Sequence, residues 1–173
     1  MILGKIVGRS STVGFQFSVS GNAKKFQYVQ VLDEGGNYIL GQIVEIERDS
    51  VDIIADCVIF GYRDNGKLRG LLRPLVPGTE VLLAEEELIA STLGLNKEEK
   101  SGYIGLLDGY DNIKVNLDLN NVITKHVCIL AKSGSGKSYC SAVLLEELLD
   151  RKVPIVVIDP HGEYSSLRLP NNQ

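Results

Sequence analysis

Val127-Cys-Ile-Leu-Ala-Lys-Ser-Gly-Ser-Gly-Lys-Ser-Tyr139 is an apolar run that passes into a glycine–serine–lysine loop and then into a helical pattern. Within it, Ala131-Lys-Ser-Gly-Ser-Gly-Lys-Ser138 is an A-x-x-x-x-G-K-S form of the phosphate-binding loop, with alanine where the strict pattern has glycine. The residue types suit the chemistry. Gly134 and Gly136 allow the tight backbone path that turns successive N–H groups inward as an anion nest. Lys137 has the reach for β- and γ-phosphates, and the Ser138 hydroxyl can ligate Mg²⁺. A helix opening at about Lys137 would aim its positive end at the same phosphates. The candidate contacts with a nucleoside triphosphate are thus Ser133, Gly134, Ser135, Gly136, Lys137, Ser138 and Tyr139. A merely flexible loop would not need an apolar strand before it and an amphipathic helix after it.

Downstream, Lys137 to about Leu149 reads as a helix with a wide apolar surface, and Pro154-Ile-Val-Val-Ile-Asp159 as a strand buried on both faces of a parallel sheet. Strand, loop, helix and strand form a βαβ unit. Ligands of parallel sheets sit at the carboxyl ends of strands, where Asp159 falls. Its carboxylate can serve the cation and the attacking water, or it can cap the turn Asp159-Pro-His-Gly-Glu-Tyr164. Glu163 on that turn has the same two readings. His161 reads as a turn histidine, since no acid–base partner for it is visible.

Before the loop, residues 1 to about 84 alternate β-rich runs with glycine-marked turns. The strand candidates are Ile2 to Val7, Phe26 to Leu32, Tyr38 to Glu47, Val51 to Phe60 and Glu80 to Ala84. This spacing predicts a small antiparallel barrel or sandwich. A helix is expected over 85–95, opened by Glu85-Glu86-Glu87; a contiguous trio splays around a helix turn, so these acids read as N-terminal charge rather than a metal cluster. A polar linker over 96–101 marks the expected boundary between residues 1–95 and 96–173. Tyr103 to Asp108 and Ile113 to Asp118 read as two more strands.

The 173 residues accommodate one domain or two small ones, with a formal net charge of −4. The chain as a whole is therefore not a polybasic nucleic-acid binder, and its densest positive run, Arg63, Lys67, Arg69 and Arg73, reads as solvated barrel loops as readily as phosphate contacts. Cys57, Cys128 and Cys140 lack zinc-like spacing, and two of them sit in apolar strand or helix settings where a reduced, buried thiol is expected. That fits a reducing cytoplasm. No apolar run reaches the roughly 20 residues of a membrane span, and Met-Ile-Leu-Gly-Lys does not read as a signal peptide.

The stretch from Ile123 to Tyr139 together with Val156-Val-Ile-Asp-Pro-His-Gly-Glu-Tyr164 resembles the HerA branch of the HerA/FtsK ATPases, and the region ending Pro77-Gly-Thr-Glu-Val-Leu-Leu-Ala-Glu-Glu86 resembles that family's N-terminal HAS-barrel. The resemblance implies a hexameric, ATP-driven double-stranded-DNA translocase or helicase that acts with the nuclease NurA in end resection. Its barrel would serve ring assembly and nuclease docking, and its RecA-like core would hydrolyse ATP. On this resemblance Lys137 and Ser138 take the phosphate and Mg²⁺ roles, and Asp159 and Glu163 belong to the second-strand motif. Lys125, at the opposite end of the loop's strand, could face only a neighbour's site in a ring, and it reads first as a solvated lysine. No counterpart of a later Walker B strand, an arginine finger or most DNA-contacting loops is present, so the expectation is the N-terminal part of a larger ATPase without turnover of its own. The alternative is an assembly and docking module with a non-hydrolysing nucleotide loop. Asp159-Pro-His-Gly-Glu-Tyr164 and the preceding barrel argue against a transporter ATPase or a rotary-type subunit.

Overall fold

The computed structural model describes residues 1–95 and 100–168, and the chain divides into two units, Met1–Gly94 and Leu95–Gln173.

In the first unit, six antiparallel strands close on themselves. They are β1 (Ile2–Ser10), β2 (Gly14–Val19), β3 (Tyr28–Leu32), β4 (Tyr38–Arg48), β5 (Ile53–Asp64) and a later strand at Glu80–Leu83, numbered β7. The ladder runs β1–β2–β5–β4–β3–β7 and returns to β1, so no edge of this sheet is left open. Strand alternation fills the interior: Phe15 and Phe17, Val29 and Val31, and Ala55 and Cys57 point inward two residues apart. On β1 the inward residues are Leu3 and Ile6, three apart, and the register with β7 shifts between Ile2 and Gly4. Gly4 tolerates no side chain there, since a Cβ would stand 1.9 Å from the Ser18 carbonyl oxygen of β2.

A short strand β6 (Lys67–Arg69) folds back on β5 through Asn65-Gly66, both at positive φ as a two-residue hairpin turn requires. Helix α1 (Glu86–Leu93) packs on β4 and β5, buries Ile89 and Thr92, and stops at Gly94, whose left-handed conformation lets its N–H reach the Ala90 and Ser91 carbonyls. The buried Gln30 side chain of β3 accepts the Glu85 N–H at 2.9 Å, fixing the chain's entry into α1. Glu86 and Glu87 lie in the first turn of α1, as the sequence leads one to expect.

In the second unit, β8 (Ser101–Leu106) and β9 (Lys114–Asp118) form a hairpin. The linker expected over 96–101 lies outside the described residues at 96–99, and Ser101 is a buried strand residue. Helix α2 (Leu119–Thr124) is capped by Asp118, which accepts the Asn120 and Asn121 N–H groups. Helix α3 (Lys137–Asp150) packs on β8. At its C-terminal end, where a cation is favoured, Arg151 pairs with Glu147 at 2.7 Å and donates to the Ser101 carbonyl.

Two sequence expectations are corrected here. Residues 127–131 and 153–159 carry no β-ladder, although their composition is that of buried strands. The side chains of Val127, Ile129, Val156 and Ile158 share with α3 residues Leu144 and Leu145 a groove of ≈ 320 Å³, yet Leu130, Val156 and Ile158 remain 88%, 92% and 89% exposed. A strand needs a neighbouring backbone as well as an apolar composition, and among the described residues nothing supplies one. Cys128, in the first of these segments, and Cys140, on α3, are exposed, whereas Cys57, inside the closed barrel, is buried.

Candidate nucleotide-binding site

Residues 132–138 form a turn that runs into the start of α3. Lys132 to Ser135 form a turn in which the Ser135 N–H and hydroxyl both donate to the Lys132 carbonyl, at 3.2 and 2.6 Å, with Gly134 at φ 77° in the position a type II turn reserves for glycine. Gly136 follows at φ 88°, ψ 17° as the residue before α3. No side chain caps this helix, so its positive end faces the loop without an internal acceptor from a cap residue. A Cβ built on either glycine would meet nothing within 4 Å, so it is their positive φ and not crowding that calls for glycine there. Ser133, Gly134, Ser135, Gly136 and Lys137 are exposed, Tyr139 is exposed, and Ser138 is half-buried.

The second segment of the site begins at Asp159. Its carboxylate accepts the Tyr164 N–H at 2.9 Å and the Glu163 N–H at 3.2 Å, closing the turn that carries His161 and Gly162. These backbone N–H groups, that of Tyr164 foremost, hold the Asp159 carboxyl below the usual carboxylate range. Asp159 thus does what its turn-capping reading describes. The residue that reaches the loop is Glu163: its carboxylate accepts the Ser138 hydroxyl, joining the start of α3 to a turn 25 residues later. His161 is exposed on the same turn. Lys125 terminates α2, a helix absent from the sequence reading because Leu-Asn-Asn-Val-Ile-Thr has weak propensity and its Asp118 cap is a single residue. The Ser138–Glu163 pair was equally hidden, since each residue is visible in a motif but their meeting depends on how the turn is folded.

The oxygen donors gathered here suit Mg²⁺, a hard cation that is held by one or two protein oxygens together with substrate phosphates and water. Among the described residues no cluster of three or more His, Cys, Asp or Glu side chains could hold a metal by itself. The basic run does not converge. The β5–β6 register sets Lys67 opposite Asp64 and Arg69 opposite Tyr62 on one face, and Arg63 opposite Leu68 on the other. Arg69 lies 3.6 Å from Asp64, and Arg63 donates to the Gly66 carbonyl at 2.6 Å.

A closed antiparallel barrel is thus combined in one chain with a partial α/β unit that carries a glycine loop. Residues 102–173 match the family model described as the central domain of helicase HerA. Over 171 residues, 96% of the chain, it is 32% identical to a probable DNA double-strand break repair helicase HerA of Methanocaldococcus jannaschii, 33% of which is covered. It is 26% identical to the DNA double-strand break repair helicase HerA of Pyrococcus furiosus, with 97% of this chain and 35% of the relative aligned. Identity is 29% to the protein of that name from Sulfolobus acidocaldarius, over 99% of this chain and 38% of the relative. By the family-model match residues 102–173 belong to the HerA family, and the chain spans about a third of the length of these relatives. No helix among the described residues is long and apolar enough to cross a membrane.

Proposed function

We propose that this protein binds ATP with Mg²⁺ at the 131–138 loop and belongs to an ATP-driven double-stranded-DNA translocase or helicase, a hexameric ring that acts with a NurA-type nuclease in the resection of DNA ends. The observation that carries the proposal is the meeting of the glycine loop with the Asp159–Tyr164 turn through Ser138 and Glu163, in a chain whose relatives are named as break-repair helicases. On this reading Ser133 to Tyr139 cradle the triphosphate, with Lys137 on the β- and γ-phosphates. Ser138 holds the cation, which when bound supplies charge neutralisation on the phosphates. Asp159 shapes the turn that brings the Glu163 carboxylate to the Ser138 hydroxyl. Residues 1–95 act as the HAS-barrel-like assembly domain, and residues 96–173 as the opening of a RecA-like core. A cytoplasmic location goes with this reading, as do three unpaired thiols.

The barrel also offers a surface for the nuclease. A cleft of ≈ 540 Å³ lies beside Leu32, Tyr62, Leu72 and Val76, with Leu72 97% exposed. It favours, as a second reading, an assembly and docking module whose loop does not hydrolyse nucleotide. Calorimetric titration with ATP and Mg²⁺ separates the two. Binding that Lys137→Ala weakens by about ten- to a hundredfold, the worth of one charge-assisted contact, is the expected outcome. Equal affinity in both proteins removes Lys137 from the site, and stoichiometric nuclease binding without any nucleotide binding supports the module.

A further inference from the structure

We infer that Glu163 is a positioning residue: by accepting a hydrogen bond from the Ser138 hydroxyl it would leave the Ser138 oxygen lone pairs free to ligate a cation. This inference rests on the nucleotide reading above and assigns to one bond a task within that site. An alcohol oxygen ligates a cation through a lone pair, so its O–H must point elsewhere, to an acceptor. The structure supplies that acceptor in Glu163, which receives the Ser138 hydroxyl. Ser138 is half-buried at the second residue of α3, where the helix backbone fixes its Cβ. Glu163 is fixed in its turn, because its own N–H donates to Asp159, whose other oxygen accepts Tyr164 N–H. The chain of support therefore runs from the Asp159 carboxylate through the turn to Glu163 and on to Ser138. Such outer partners of a metal ligand set its orientation, and their loss lowers metal affinity by about 10- to 100-fold.

The test is the coupling between metal and nucleotide, measured as the ratio of ATP dissociation constants in EDTA and in saturating Mg²⁺ by calorimetry on the full chain. Glu163→Ala is expected to reduce this ratio about tenfold while leaving the EDTA constant unchanged. Glu163→Gln, which keeps a carbonyl oxygen to accept the hydroxyl, is expected to stay within about threefold of the wild type. In a Ser138→Ala background Glu163→Ala should have no further effect, because the residue acts only through that hydroxyl. An unchanged ratio in Glu163→Ala, a Gln variant as impaired as the Ala variant, additive effects with Ser138→Ala, or a weakened EDTA constant would each overturn the assignment while the nucleotide site stands. ATP binding with no metal dependence in the wild type would do the same, whereas no ATP binding at all would overturn both readings.

Discussion

Gly4→Ala tests the closure of the barrel. A Cβ at residue 4 would lie 1.9 Å from the Ser18 carbonyl oxygen and 2.8 Å from the Phe17 ring, where contacts under 3.0 Å are essentially never seen. Neither neighbour can step aside cheaply. The Ser18 oxygen is backbone in the β1–β2 ladder, and Phe17 is fully buried in the core. The two strands must separate by roughly 1 Å at this seam, which strains packing by about 1–3 kcal/mol. A weakened ladder hydrogen bond adds about 1 kcal/mol. A loss near 3 kcal/mol is a large part of the roughly 5–15 kcal/mol that a domain possesses, and corresponds to about 12–24 °C in Tm for a unit of this size. Urea unfolding followed by circular dichroism measures it, with Gly70→Ala as control, since a Cβ on Gly70 meets nothing within 4 Å and its φ is ordinary. If Gly4→Ala changed stability no more than Gly70→Ala, within about 0.5 kcal/mol, β1 and β2 would not be paired in the register described.

Two more outcomes follow from titratable groups. Burial first, and the adjacent Asp56 charge second, push the Cys57 thiol up to about 12 from 9.0. Because the folded state holds that proton more tightly, the barrel should keep its full stability at neutral pH and lose some between pH 9 and 12. A thiol reagent at pH 8 should correspondingly label Cys128 and Cys140 in the native protein and Cys57 only after denaturation, and early labelling of Cys57 would contradict its burial. For Asp159, whose carboxyl lies below its ordinary 3.8, the closed turn should persist at neutral pH and loosen only as pH falls through the lowered value. The Tyr164 amide resonance reports this directly, and titration at the ordinary value, or the same titration in Asp159→Asn, would show that the turn is not held by that carboxylate.

Most of the barrel was legible as strand-length runs between turn residues, with β4 and β7 within a residue of their expected bounds. Strand β2 escaped the reading although Phe15 and Phe17 alternate correctly, because Ser10-Ser-Thr and Gly14 around them have loop composition. Strand β6 has no apolar pattern at all, and only Asn65-Gly66 signals the hairpin that creates it. At the glycine loop the local geometry was legible because it is written in consecutive residues, including Gly136 and the helix that starts at Lys137. The carboxylate that meets Ser138 was not, since proximity across 25 residues is a property of the fold. The distinction also explains Asp159. Its place at the end of an apolar run allows a role at the phosphates or in the turn, and only the backbone N–H directions decide how its two oxygens are occupied.

The two units contrast in how completely they satisfy themselves, and that bears on the site. The barrel pairs every one of its six strands on both sides and buries Leu3, Phe17, Val29, Val31 and Val81 fully. Its apolar residues need no further partner to remain folded. Residues 127–131 and 153–159 have the composition of central strands without a ladder, and they leave Leu130, Val156 and Ile158 in water. Even so, the glycine loop, the uncapped start of α3 and the Asp159 turn are all formed. Within each piece the geometry is set by local bonds, the Lys132–Ser135 turn and the Asp159 cap, and the Ser138–Glu163 link then joins the two pieces across 25 residues of chain.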